Sequence, residues 1–97
     1  MNGEFYESPS IKTILLIEDD PATALRLGEL FSEQAGYRVI FASDGLTALK
    51  FIRSCKPDLI LLDERLLTRN GIDLGPRFSV IQDLQAIPLI LLSIDSP

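Results

Sequence analysis

Two short apolar runs in this chain end abruptly in acids. Ile14-Leu15-Leu16-Ile17 stops at Glu18, Asp19 and Asp20, and Leu59-Ile60-Leu61-Leu62 stops at Asp63. Uninterrupted aliphatic runs of this length have the pattern of strands covered on both faces, as inside a parallel sheet. Open α/β sheets carry their chemistry at the carboxyl ends of the strands. Glu18, Asp19 and Asp63 are therefore expected at one crevice mouth. Two unit charges about 4 Å apart repel by roughly 4 kcal/mol at an effective dielectric of 20, so such a cluster calls for relief. A hard cation or a proton provides it. Oxygen donors without nitrogen or sulfur suit Mg²⁺ or Mn²⁺. An aspartate beside such an ion can attack a phosphoryl group and form an acyl phosphate. A hydroxyl nearby can steady a phosphoryl oxygen. Ser93, which closes a third apolar run, Leu89-Ile90-Leu91-Leu92, is the candidate for that hydroxyl.

The elements that must position these residues follow in order. Met1 to Ile11 is polar, without periodicity, and is expected to be a loose tail. The first strand spans about Lys12 to Glu18. Asp20-Pro21 reads as a helix cap followed by proline in the first turn. Ala24, Leu27, Leu30 and Phe31 then recur at helical spacing, and Gly36 stops the helix. Tyr37 to Ala42 is a strand rich in aromatic and β-branched residues. Ser43-Asp44-Gly45 turns into a second helix with Ala48, Leu49, Ile52 and Cys55 facing inward, and Lys56-Pro57 ends it. After the Asp63 strand comes a loop to Gly71. A third helix either begins near Gly75-Pro76 or is kinked there, since proline in a helix interior costs about 3 kcal/mol. Phe78, Ile81 and Leu84 form its expected buried face, and Ile87 to Leu92 is the last strand. The β-α-β-α-β-α-β order with right-handed crossovers gives a flavodoxin-like parallel sheet, order 2-1-3-4, with flanking helices.

Composition narrows the function classes. A hydrophobic content of 46% and a mean hydropathy of +0.23 describe a chain that folds into one domain. A net charge of −5 argues against nucleic acid as a direct partner. The apolar runs are too short to span a membrane. The one cysteine, Cys55, excludes an internal disulfide and suits the cytoplasm, and the absence of histidine removes histidine ligands and bases.

Taken together, Ile14-Leu-Leu-Ile-Glu-Asp-Asp-Pro21, Pro57-Asp-Leu-Ile-Leu-Leu-Asp63, the following Leu66 and Gly71, and Ile87-Pro-Leu-Ile-Leu-Leu-Ser93 resemble the receiver domain of bacterial two-component response regulators. The intervals agree with it: 44 residues from Asp19 to Asp63, and 22 from Gly71 to Ser93. The resemblance covers residues 12–97 and implies a signalling phospho-acceptor, not an enzyme acting on a separate substrate. It implies Asp63 as phospho-acceptor, Glu18 and Asp19 as the acidic pocket, the backbone carbonyl of Arg65 as a further metal ligand, and Ser93 as switch hydroxyl. The Arg65 side chain is expected in solvent. The implied partner is a sensor histidine kinase or phosphotransfer protein.

The sequence departs from the family in three places. Leu67 stands where proline is usual, and bulky Ile94 follows the switch hydroxyl. The chain also ends at Pro97, before the family's last α-β-α segment with its lysine, so a partial receiver domain is expected. An unpaired edge at Leu89–Leu92 is then a place for self-association. The competing class is a pseudo-receiver, an interaction module that is not productively phosphorylated. A haloacid-dehalogenase-type phosphatase is excluded because Arg65 stands where its second acid belongs. A flavodoxin is excluded because Glu18-Asp19-Asp20 would repel a flavin phosphate.

Overall fold

The computed structural model describes residues 11–93, so residues 1–10 of the expected tail and the crowding by Ile94 lie outside the described residues. The strands are β1 (Lys12–Ile17), β2 (Tyr37–Ala42), β3 (Leu59–Asp63), the short β4 (Thr68–Arg69) and β5 (Ile72–Asp73), and β6 (Leu89–Leu92). The principal sheet is parallel with order β2-β1-β3-β6. The helices are α1 (Pro21–Ser32), α2 (Gly45–Cys55) and α3 (Gly75–Gln85). This is the expected flavodoxin-like arrangement, with a small hairpin added between β3 and α3. No helix of the described residues is long and apolar enough to cross a membrane.

Side-chain alternation along β1 and β3 builds a core on each face. Leu15, Ile17, Ile60 and Leu62 pack with Ala48 and Ile52 of α2 and Phe78 of α3. Ile14, Leu16 and Leu61 point the other way, with Leu27 and Phe31 of α1 against them. Both faces of the two central strands are thus covered, which is why they read as unbroken aliphatic runs. Gly28 permits the close approach of α1 to β2, since a Cβ there would lie 2.5 Å from Phe41 Cζ.

The helix ends follow local chemistry. Asp20 caps α1 by accepting from the Thr23 N–H at 3.1 Å, and Asp44 caps α2 by accepting from the Thr47 N–H at 2.8 Å. Lys56 leaves α2 in the left-handed region, φ 43°, ahead of Pro57. Cys55 is half-buried at the end of α2. The alternatives for α3 resolve in favour of a start at Gly75, which places Pro76 in the first turn, where its missing N–H costs nothing.

Four expectations need correction. Leu84 is 81% exposed, because six residues beyond Phe78 it has turned about 120° around the helix away from the core. Leu30 is likewise exposed, on the flank of α1 beside the inward pair Leu27 and Phe31. The last strand begins at Leu89, with Ile87 and Pro88 forming its lead-in, although Ile87 is buried and the Pro88 carbonyl accepts from the Ile60 N–H at 2.9 Å. The stretch before α3 is a two-residue hairpin, β4 (Thr68–Arg69) against β5 (Ile72–Asp73). Asn70 at φ 52° and Gly71 at φ 77° make its turn, the asparagine-glycine pairing that such turns favour.

Candidate phosphoryl and metal site

β1 and β3 run side by side with Ile17 level with Leu62, so Glu18 and Asp63 leave the sheet together at its carboxyl edge. Both are buried, while Asp19, on the α1 side, is partly open. One carboxylate oxygen from each of the three lies within 4.8 Å of the others. Asp63 pairs in register with Leu92 of β6, so Ser93 is the next residue beyond that pair at the same sheet edge. Ser93 is exposed, and among the described residues it forms no hydrogen bond to the acids.

The residue that sequence reasoning misplaced is Arg65. The 3-10 helical turn Glu64–Leu67 folds it back over the acids. Its backbone N–H donates to Asp63 Oδ1 at 3.0 Å, and its Nε lies 3.1 and 3.0 Å from Asp63 Oδ1 and Oδ2. Its Nη2 donates to Asp63 Oδ2, to Asp19 Oδ1 at 3.1 Å and to Glu18 Oε1 at 3.4 Å. The side chain expected in solvent therefore bridges all three acids, although its outer surface keeps 54% of its exposure. The physical cause is charge. Three carboxylates gathered at a sheet edge attract the nearest cation the backbone can deliver. An arginine two residues after a strand-end aspartate was the signal available in the sequence.

The protonation states follow from this arrangement. Burial pushes the Glu18 carboxyl up to about 7, assisted by the Asp63 carboxylate beside it. Burial also pushes Asp63 upward, but hydrogen bonds from Arg65 and Glu18 outweigh it and hold Asp63 below its ordinary value. Asp63, above all, holds Arg65 protonated beyond its already high value. Asp20 is held low by Thr23, as a helix cap should be. Glu18 Oε2 is buried with no hydrogen-bond partner among the described residues. Such an atom costs free energy unless a cation or proton serves it.

The chain matches the family described as response regulator receiver domain over residues 14–97. It is 39% identical over 66 residues to the positive alginate biosynthesis regulatory protein of Pseudomonas aeruginosa, covering 66% of this chain and 27% of that one. It is 34% identical over 70 residues to sporulation initiation phosphotransferase F of Bacillus subtilis, covering 72% and 56%. With the transcriptional regulatory protein AfsQ1 of Streptomyces coelicolor the identity is 40% over 81 residues, covering 84% and 34%. The chain thus spans between about a quarter and just over half of these relatives' lengths. Among solved structures, the signal receiver domain of the NarL response regulator from Mycobacterium tuberculosis superposes with a TM-score of 0.65 at 25% identity, covering 92% of this chain and 72% of that one. The response regulator domain of Thermotoga maritima CheB superposes with a TM-score of 0.67 at 22% identity, covering 84% and 59%, a likeness of fold. The chain belongs to the response regulator receiver domain family, a signalling family not typically classed as enzymes.

Proposed function

We propose that this receiver domain accepts a phosphoryl group on Asp63 from the phosphohistidine of a sensor kinase or phosphotransfer protein in the cytoplasm. The supporting observation is a buried aspartate at a strand end with the Glu18 and Asp19 oxygens within 4.8 Å. The donor set fits a hard divalent cation, being all oxygen with Glu18 Oε2 still without a partner. Glu18, Asp19, Asp63 and the Arg65 carbonyl would hold Mg²⁺ or Mn²⁺, which when bound neutralises charge on the phosphoryl oxygens.

The chain's own residues do the rest. An Asp63 carboxylate oxygen bonds to phosphorus as the phosphorus–nitrogen bond to the donor histidine breaks, and the imidazole keeps the electron pair. The Arg65 guanidinium must turn outward to free the attacking oxygen, and its half-exposed position leaves that path open. The Ser93 hydroxyl, at the same sheet edge, would hold a phosphoryl oxygen. A pseudo-receiver remains the second reading, favoured by the Arg65 bridge, which already supplies the acids with a cation.

Labelled acetyl phosphate, or a labelled kinase, distinguishes the two. Base-labile label on the wild type and none on Asp63→Asn is the expected result. Label that persists in that variant would place the chemistry elsewhere. No label on a folded wild-type chain would select the pseudo-receiver.

A further inference from the structure

We infer that the outer face of α2 and α3 is a docking groove for an acidic, leucine-bearing helical segment of a protein partner. Two adjoining hollows of about 430 and 450 Å³ lie along these helices and share Leu49, Arg53 and Arg77. A third, of about 200 Å³, continues past Leu46 and Arg77 to the hairpin, where Ile72 and Arg69 line it.

Charge separates this face from the rest of the chain. Lys50, Arg53, Arg69 and Arg77 line the three hollows. They are four of the chain's nine cationic residues, and among the described residues no acid lines these three hollows, although Arg69 at the hairpin end also borders Asp19 and Asp44. The chain as a whole carries −5, so this concentration opposes the overall balance. Among the described residues none of the four makes an ion pair, because Arg65 makes all of those.

Apolar side chains lie between the cations. Leu46, Val80 and Ile72 are 47%, 53% and 61% exposed, while half-buried Leu49 and Ile81 floor the groove. The occupant must therefore cover apolar area and neutralise cations together. An amphipathic helix with leucines on one stripe and glutamates on its flanks does both. Each groove helix has 11 residues, about 16 Å, enough to seat roughly three turns of such a partner. A nucleic acid would pair with the cations but leave the leucines and valine uncovered, and the acidic remainder of the chain would repel it. Asp63 lines none of the three hollows, so docking is expected with or without a phosphoryl group on it.

Titration of the isotopically labelled chain with a 15-residue amidated peptide tests this. The peptide carries Leu at i, i+4, i+7 and i+11 and Glu beside them, and its twin replaces each Glu with Lys. Amide shifts are expected at Leu46, Arg53, Arg77 and Val80 with the Glu peptide, weakening as salt is raised and absent with the twin. Arg53→Glu with Arg77→Glu should weaken binding at least tenfold. If that pair disturbs the fold, Arg53→Gln and Arg77→Gln should each weaken it about threefold. Asp63→Asn should bind as the wild type does. Four results would overturn the inference: no shifts, equal binding of the twin, shifts centred on Leu89–Leu92, or shifts on this face produced by duplex DNA or anionic vesicles but not by the Glu peptide.

Discussion

The Arg65 guanidinium spans both carboxylate oxygens of Asp63, with Nε 3.1 and 3.0 Å from Oδ1 and Oδ2. The proposed phospho-acceptor and a tethered cation from two residues downstream thus form one hydrogen-bonded unit. Any reaction at Asp63 would compete with that pairing, and a divalent ion bound to the three acids would have to displace the same guanidinium.

Arg65→Ala should therefore bind Mg²⁺ more tightly than the wild type. The expected outcome is a half-saturating concentration several-fold lower, read from the rise in thermal midpoint as Mg²⁺ is added. Its midpoint in chelator should fall, since three carboxylates lose their counter-charge. Unchanged Mg²⁺ dependence would mean that the guanidinium and the ion do not compete.

Asp63→Asn tests the sign of the electrostatics. Repulsion among the acids alone predicts that removing this charge stabilises the metal-free chain. The Arg65 pairing predicts the reverse in the wild-type background, because a favourable contact to a buried carboxylate is lost. In an Arg65→Ala background the substitution should become stabilising. Melting all four proteins of this double-mutant cycle in chelator reads the coupling directly.

The raised Glu18 carboxyl gives metal-free stability a pH dependence. Its folded value of about 7 lies above the ordinary 4.5, so the folded state holds a proton that the unfolded chain has released. This contribution is complete below about 4.5 and is lost as pH rises through about 7. The loss is on the order of 3 kcal/mol at most. The lowered Asp63 carboxyl works oppositely, its contribution disappearing as pH falls below the ordinary carboxylate range. Denaturant melts in chelator should show the decline between pH 4.5 and 7, and Glu18→Gln should flatten it.

The buried face of α3 can be checked by two truncations. Phe78→Ala should cost about 3–5 kcal/mol, since the ring is enclosed between α2 and the sheet. Leu84→Ala should stay within about 0.5 kcal/mol, because the side chain is largely in solvent. Comparable losses in urea melts would return Leu84 to the core.

The parallel sheet was legible in the sequence because central strands covered on both faces allow few polar residues. Ile14–Ile17 and Leu59–Leu62 show that constraint directly, and the acids after each run marked the sheet edge. The caps Asp20 and Asp44 were also readable, since capping is a contact between residues three apart. Helix faces read less well: Phe78, Ile81 and Leu84 share an apolar character, but only the direction of approach to the sheet decides which of them is covered. The Arg65 bridge lay beyond sequence reading for a different reason. Its partners come from positions 18, 19 and 63, and the sum of their charges at one place exists only once β1 and β3 are adjacent. The sequence by itself determined which carboxylates meet. The tertiary structure decided which cation they hold, because electrostatic attraction depends on separations that only the folded sheet sets.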